Sequence, residues 1–323
     1  MTDRSGLADQ ESDMQRIQYH RYGGPEVMRL EAYDLPAPGK GELLVRVKAA
    51  SINPLDWKLR QGFMKFMMGR RFPRAMGMDF SGVVEAVGRG VTGFARGDEV
   101  LGQVSMMKPG AFAETALTTA NLLVGKPAGL SFTAAATLPT VGVTAWRALI
   151  EGGKLKTGQS VFINGASGGV GQAAIAIART YGAAITGRVG PASVADFADS
   201  GLARVLDYTQ PLPDELKGAF DVVFDCHGSL TPAEEDFLTK RSGVAVDIDP
   251  TAGNLIRSLI SRRHSFVRGV LNPAILQKIV DLAVAGQFTL PISRTAPLSE
   301  AIALIGALEA GNRLAGKSVI VME

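Results

Sequence analysis

Hydrophobic and polar positions change their period along this chain. From Gln18 to Val47 the apolar residues fall in short runs divided by turn residues. Glu42-Leu-Leu-Val-Arg-Val-Lys48 alternates in period two, the pattern of a strand with one face in a core. Pro36-Ala-Pro-Gly39 marks a turn before it. Met78–Gly88, Gly97–Gly102 and Gly110–Thr115 read as further strands punctuated by glycine. Between them, the stretch from Ala49 to Gly62 starts extended and becomes helical after Pro54. At Leu130 the texture shifts. Ser131 caps a helix, Gly142 to Glu151 continues in helical period, and short apolar strands then alternate with helical sequence to about Val270. An amphipathic helix over Ile275–Ala285, a strand from Pro291 to Thr295, a helix over Leu298–Ala310 and a last strand, Gly316–Met322, complete the chain. The expected class is α/β.

Ser160-Val-Phe-Ile163 runs into the glycine turn Gly165-Ala-Ser-Gly-Gly-Val-Gly171, and alanine-rich helical sequence follows to Ala178. Strand, glycine turn and helix in this order form the context of a dinucleotide fingerprint, with Ala166 in place of its first glycine. Gly168 and Gly169 leave room for backbone N–H groups to approach a pyrophosphate, and the helix offers its positive end. Ser167 and Val170 complete that turn, and Gly171 lets helix and strand pack closely. Further strands are expected at Gly182–Thr186, Arg204–Tyr208 and Asp221–Asp225, as a doubly wound parallel sheet requires.

Composition narrows the possibilities. A length of 323 residues suits two domains, and 46% hydrophobic residues can fill two cores. The segments expected are a β-rich domain over 14–130 and 273–323, a nucleotide-binding domain over 131–272, and a disordered tail over 1–13. No apolar run is long enough to span a bilayer, and the polar first residues lack a signal-peptide core. A cytoplasmic protein without membrane partner is expected. The net charge of +3, with basic runs only at Lys65–Arg74 and Arg257–Arg268, does not suggest nucleic-acid binding. A single cysteine, Cys226, and three scattered histidines exclude a disulfide and give no metal-ligand spacing.

Tyr22-Gly-Gly-Pro-Glu-Val27, Ser51-Ile-Asn-Pro-Leu-Asp-Trp-Lys58, Gly77-Met-Asp-Phe-Ser-Gly82, Gly97-Asp-Glu-Val100, Gly142-Val-Thr-Ala145, the glycine turn and Gly316-Lys317 follow one another in a familiar order. In this the chain resembles the medium-chain dehydrogenase/reductase superfamily, in its zinc-independent quinone oxidoreductase and enone reductase branch. The likeness runs from about Tyr22 to Val321. It implies a GroES-like catalytic domain beside a Rossmann domain, with substrate between them. Zinc-dependent relatives carry Gly-His-Glu where this chain has Gly77-Met78-Asp79, so no metal is expected. The resemblance also implies a homodimer paired through the Ser265–Val270 strand.

No carboxylate follows the second strand of the nucleotide-binding half before Asp196. Arg188 offers a cationic fork suited to a 2′-phosphate, and Tyr208 matches a family tyrosine that reaches the same group. NADPH is therefore the expected cofactor. Thr144 and Lys317 match positions that line the nicotinamide side of the cleft. Hydride transfer to a quinone or an α,β-unsaturated carbonyl needs a donor for the substrate oxygen and a source for the proton. Asn53 and Lys58 are the catalytic candidates, with Asp56 as orienter or helix cap. A non-catalytic NADPH-binding protein and an enoyl-thioester reductase are the alternatives.

Overall fold

The computed structural model describes residues 14–312 and 315–322. The tail expected at 1–13 lies outside the described residues. Strands β1 (Gln15–Tyr19) and β2 (Met28–Ala32) pair antiparallel. β3 (Glu42–Ser51) follows, then helices α1 (Pro54–Gln61) and α2 (Lys65–Met68). Next come β4 (Arg74–Ala75), β5 (Asp79–Val87), β6 (Glu99–Gln103), β7 (Thr115–Thr119) and β8 (Leu123–Gly125). α1 starts where Pro54 fixes the first helical φ, and the Asp56 carboxylate accepts from the Asn53 N–H at 2.7 Å. It stops at Gly62, whose φ of 96° suits glycine.

α3 (Phe132–Ala136) and α4 (Pro139–Trp146) lead into the second half, and α4 runs on through a π-helical turn over Arg147–Gly152. There β9 (Ser160–Asn164), α5 (Gly169–Thr180), β10 (Ala184–Val189), α6 (Val194–Ala198) and β11 (Arg204–Asp207) alternate. β12 (Phe220–Asp225), α7 (Pro232–Leu238), β13 (Thr239–Asp247), α8 (Ala252–Ile260) and β14 (His264–Phe266) continue the pattern. The six strands are all parallel, in the order β11-β10-β9-β12-β13-β14. That order reverses at β9, the switch point of a Rossmann sheet. β9 and β12 are apolar on both faces because helices cover both.

α9 (Pro273–Val284) precedes β15 (Ile292–Pro297), α10 (Ala301–Glu309) and β16 (Lys317–Val321). β16 returns to the β-rich half and pairs antiparallel with β3, Val319 opposite Ser51. The order there is β15-β16-β3-β5-β6-β8, with β7 also on β3. Two readings need adjustment. Ile275, Leu276, Ile279 and Val280 of α9 pack into the nucleotide-binding core, so residues 273–290 side with that half and only β15 onward rejoins the first. The terminal strand expected over Ser265–Val270 is shorter, β14 ending at Phe266. Arg268, Gly269 and Val270 are exposed beyond it.

Candidate active site

The two halves meet at a buried polar cluster that the order of the strands assembles. Ser51 and Asn53 leave the end of β3, Asp79 opens β5 opposite Ser51, and Lys317 opens β16. Lys317 is 4% exposed, and its Nζ donates to the Asn53 Oδ1 at 2.6 Å and to the Ile52 carbonyl at 2.9 Å. Asn53 in turn donates from Nδ2 to the Asp79 Oδ2 at 3.0 Å. Asp79 also accepts from Gln103 Nε2 at 2.8 Å, from the Thr140 hydroxyl at 2.7 Å and from the Thr140 N–H at 3.0 Å. Lysine, amide and carboxylate thus form one chain of hydrogen bonds between β16 and the start of α4.

Burial decides the charges. Desolvation lowers the Lys317 pKa to about 8, against the pull of Asp79 and Asp56. Desolvation also raises Asp56 to about 8, its backbone bond from Asn53 offsetting only part of this. Asp79 is raised by burial too, while Lys317, Thr140 and Gln103 pull it down. Its carboxylate is saturated with donors, whereas Asp56 Oδ1 has no partner among the described residues. Asp79 is therefore the anion that faces Lys317, and Asp56 the carboxyl that stays neutral.

The catalytic candidates separate. Asn53 is in the cluster, 3% exposed. Lys58 is not: it is exposed on α1, two residues beyond Asp56, and positions two apart on a helix point away from each other. The lysine that meets Asn53 is Lys317. Its side chain lies at the glycine turn, since a Cβ on Gly169 would come within 2.9 Å of its Cδ. Thr144 is buried in α4 with its hydroxyl against Gly269. Thr140, one turn earlier, is the threonine of the cluster. Sequence reasoning missed Asp79, Gln103 and Thr140 as partners, although Asp79 stood in the quoted Gly77-Met78-Asp79 motif.

The glycine turn fits a dinucleotide. Gly171 must lack a side chain, because a Cβ there would lie 2.3 Å from the Gly165 carbonyl oxygen. Gly168 caps α5 without any side-chain bond to the helix N–H groups, and it is exposed. Those N–H groups, with Ser167, Gly169 and Val170, open at the C-terminal edge of the sheet, where such ligands bind. Arg188, the penultimate residue of β10, lies beside them, 8% exposed. Its Nη2 donates to the Tyr208 carbonyl at 3.1 Å, its Nη1 lies 3.7 Å from Glu234 Oε1, and its buried Nε has no partner among the described residues. Tyr208 is 57% exposed, over the Gly190 backbone.

Cys226 is half-buried, and desolvation followed by Asp225 pushes its thiol pKa well up, so it stays protonated. Asp247, at the end of β13, packs with Asp225 and Glu235 so that carboxylate oxygens of all three lie within 4.8 Å of one another. Arg257 closes that group, its Nη1 2.5 Å from Glu235.

Residues 39–130 match the alcohol dehydrogenase GroES-like domain, and residues 200–320 match the family described as zinc-binding dehydrogenase. A chloroplast envelope quinone oxidoreductase homolog of Arabidopsis thaliana is 30% identical over 304 residues, 89% of this chain and 92% of its own. Human quinone oxidoreductase is 37% identical over 178 residues, 55% of this chain and 53% of its own. The quinone oxidoreductase of Coxiella burnetii superposes with a TM-score of 0.86 at 30% identity, covering 96% of this chain and 99% of the other. With its GroES-like half, its Rossmann sheet and this identity over nearly the full length of both chains, the chain belongs to the medium-chain dehydrogenase/reductase family, in the quinone oxidoreductase branch.

Proposed function

We propose that this protein uses NADPH to reduce a quinone or an α,β-unsaturated carbonyl, with Lys317, held by Asn53, serving the substrate oxygen and no metal taking part. The observation that carries the reading is the Lys317–Asn53–Asp79 chain set against the glycine turn. When bound, the nicotinamide supplies the hydride. The chain's own residues then have two tasks. The α5 N-terminus, Ser167 and the turn N–H groups hold the pyrophosphate, and Arg188 with Tyr208 holds the 2′-phosphate. Lys317 meets the negative charge that develops on the substrate oxygen, and its pKa of about 8 lets it release a proton near neutral pH. Asn53 fixes the ammonium, and Asp79 keeps it charged. Lys58 has no part in this scheme.

The polar side chains of the cluster are Asn53, Asp79, Gln103, Thr140 and Lys317, with neither imidazole nor thiolate among them. A lysine 2.6 Å from the amide oxygen further opposes a cation there. NADPH oxidation with quinone and enone substrates, measured with and without chelator, tests the reading. Turnover that chelator abolishes and zinc restores would overturn the metal-free part; equal use of NADH would overturn the cofactor assignment. A homodimer through the free edge of β14 is part of the proposal. Leu255, Ile256, Leu259 and Ile260 of α8 are exposed beside that edge. A monomer mass in size-exclusion light scattering refutes it.

A further inference from the structure

The tip formed by α1 and α2 carries the most exposed aromatic ring of the β-rich half. Phe66 is 93% exposed, Met67 65% and Phe63 53%, and Met107 of the neighbouring loop is 41% exposed. The exposure does not reflect a missing core. Leu59, Met68 and Met78 are buried together under the tip, with Met64 and Met106 packed on them. Seating Met64 and Met68 inward turns Phe63, Phe66 and Met67 out. The tip is also held in place: Tyr22 donates from its hydroxyl to the Gly69 carbonyl at 2.6 Å, and Arg74 donates to the Met68 carbonyl.

Charge surrounds these apolar side chains with one sign. Between Asp56 and Asp79 the sequence holds no carboxylate. Lys58, Lys65, Arg70 and Arg71 are exposed there, as is Lys108 beside Met107. The Lys65 ammonium lies 5.6 Å from the centre of the Phe66 ring. A protruding apolar tip ringed by cations has the composition of a segment that seats its side chains at the acyl boundary while its lysines and arginines meet anionic headgroups. A second copy docking face to face would bring these like charges together, because a two-fold interface sets a patch against itself. An acidic soluble partner would use the cations and leave Phe66 and Met67 in water.

We infer that the Phe63–Arg71 tip docks the protein on an anionic lipid surface. The inference is independent of the reaction catalysed, and it revises the expectation of no membrane partner, which rested on spanning segments alone. No helix among the described residues is long and apolar enough to cross a membrane, so the contact is peripheral. The docked surface lies at the far end of the helix whose start carries Asn53 and Asp56, about 12 Å of helix away.

The test is co-sedimentation of the full chain with vesicles of phosphatidylcholine alone and of phosphatidylcholine with phosphatidylserine, at low and at physiological salt. Binding is expected to the mixed vesicles, to weaken with salt, and to be weak on phosphatidylcholine. Phe66→Ser with Met67→Ser, and separately Lys65→Glu, Arg70→Glu and Arg71→Glu together, are expected to lower the partition constant at least about tenfold. Lys156→Glu with Lys217→Glu, exposed cations of the Rossmann half, are expected to leave it unchanged. Circular dichroism and NADPH binding check that each variant is folded. Failure of the wild type to bind mixed vesicles overturns the inference. So does binding that the tip variants retain. Binding to soluble polyglutamate but not to vesicles, untouched by the Phe66 and Met67 changes, would identify a polyanion site instead.

Discussion

Replacing Asp79 by Asn removes the anion that faces Lys317 while keeping the side chain's size. Lys317 Nζ and Asp79 Oδ2 are joined through one amide by hydrogen bonds of 2.6 and 3.0 Å. The charges are then at most about 8 Å apart, and a unit pair at that range is worth about 2 kcal/mol at an effective dielectric near 20. That is about 1.5 pKa units. The Lys317 pKa, about 8 in the native protein, is expected near 6.5 in Asp79→Asn. If protonated Lys317 is the required form, activity falls as pH rises through that pKa, and the fall begins about 1.5 units earlier in the variant. At pH 7.5 this lowers kcat roughly eightfold, while below pH 6 the variant recovers most of the loss. The assay is the pH profile of kcat for NADPH-dependent quinone reduction. A uniform loss at every pH, or an unmoved profile, refutes the reasoning. Breaking a buried pair costs about 3–5 kcal/mol of stability, so thermal melts accompany the kinetics. Thr140→Val, which deletes one donor to Asp79, is the milder variant if Asp79→Asn does not fold.

Arg188→Gln is expected to raise KM for NADPH by about 10- to 100-fold, the worth of a charge-assisted bond, with KM for NADH nearly unchanged; equal shifts for both would make Arg188 structural. Gly171→Ala sets a Cβ 2.3 Å from the Gly165 oxygen. It should cost about 1–3 kcal/mol by overpacking and weaken cofactor binding, as read by melting with and without NADPH. Asp247 is raised to about 8 by burial and then by Glu235. A raised carboxyl gives stability that is full below its unfolded pKa near 3.9 and is lost as pH rises through about 8. Asp247→Asn should therefore flatten the decline in Tm between pH 5 and 8, and an unchanged slope would count against the assignment.

Local sequence carried much of this protein. The period-two run at Glu42–Lys48, the glycine turn after Ser160–Ile163 and the helix start after Pro54 depend on neighbours within a few residues, and β3, β9, α5 and α1 form at those places. Gly171 was legible for the same reason: a helix start against its own strand leaves no space for a side chain. The cluster was only half legible. Asn53 and Lys317 were singled out separately, but 264 residues separate them. Only the antiparallel seating of β16 on β3 sets the lysine against the amide. Lys58 seemed the nearer partner because sequence distance is short there, yet helix geometry turns it to water. Asp79, Thr140 and Gln103 carry no local signal of pairing, and their shared bonds exist only once β5, β6 and α4 meet. The tip is the same lesson outward. Nothing in the apolar run Phe66-Met67-Met68 says which side chains face solvent, and the tertiary packing of Met64 and Met68 leaves Phe66 and Met67 exposed.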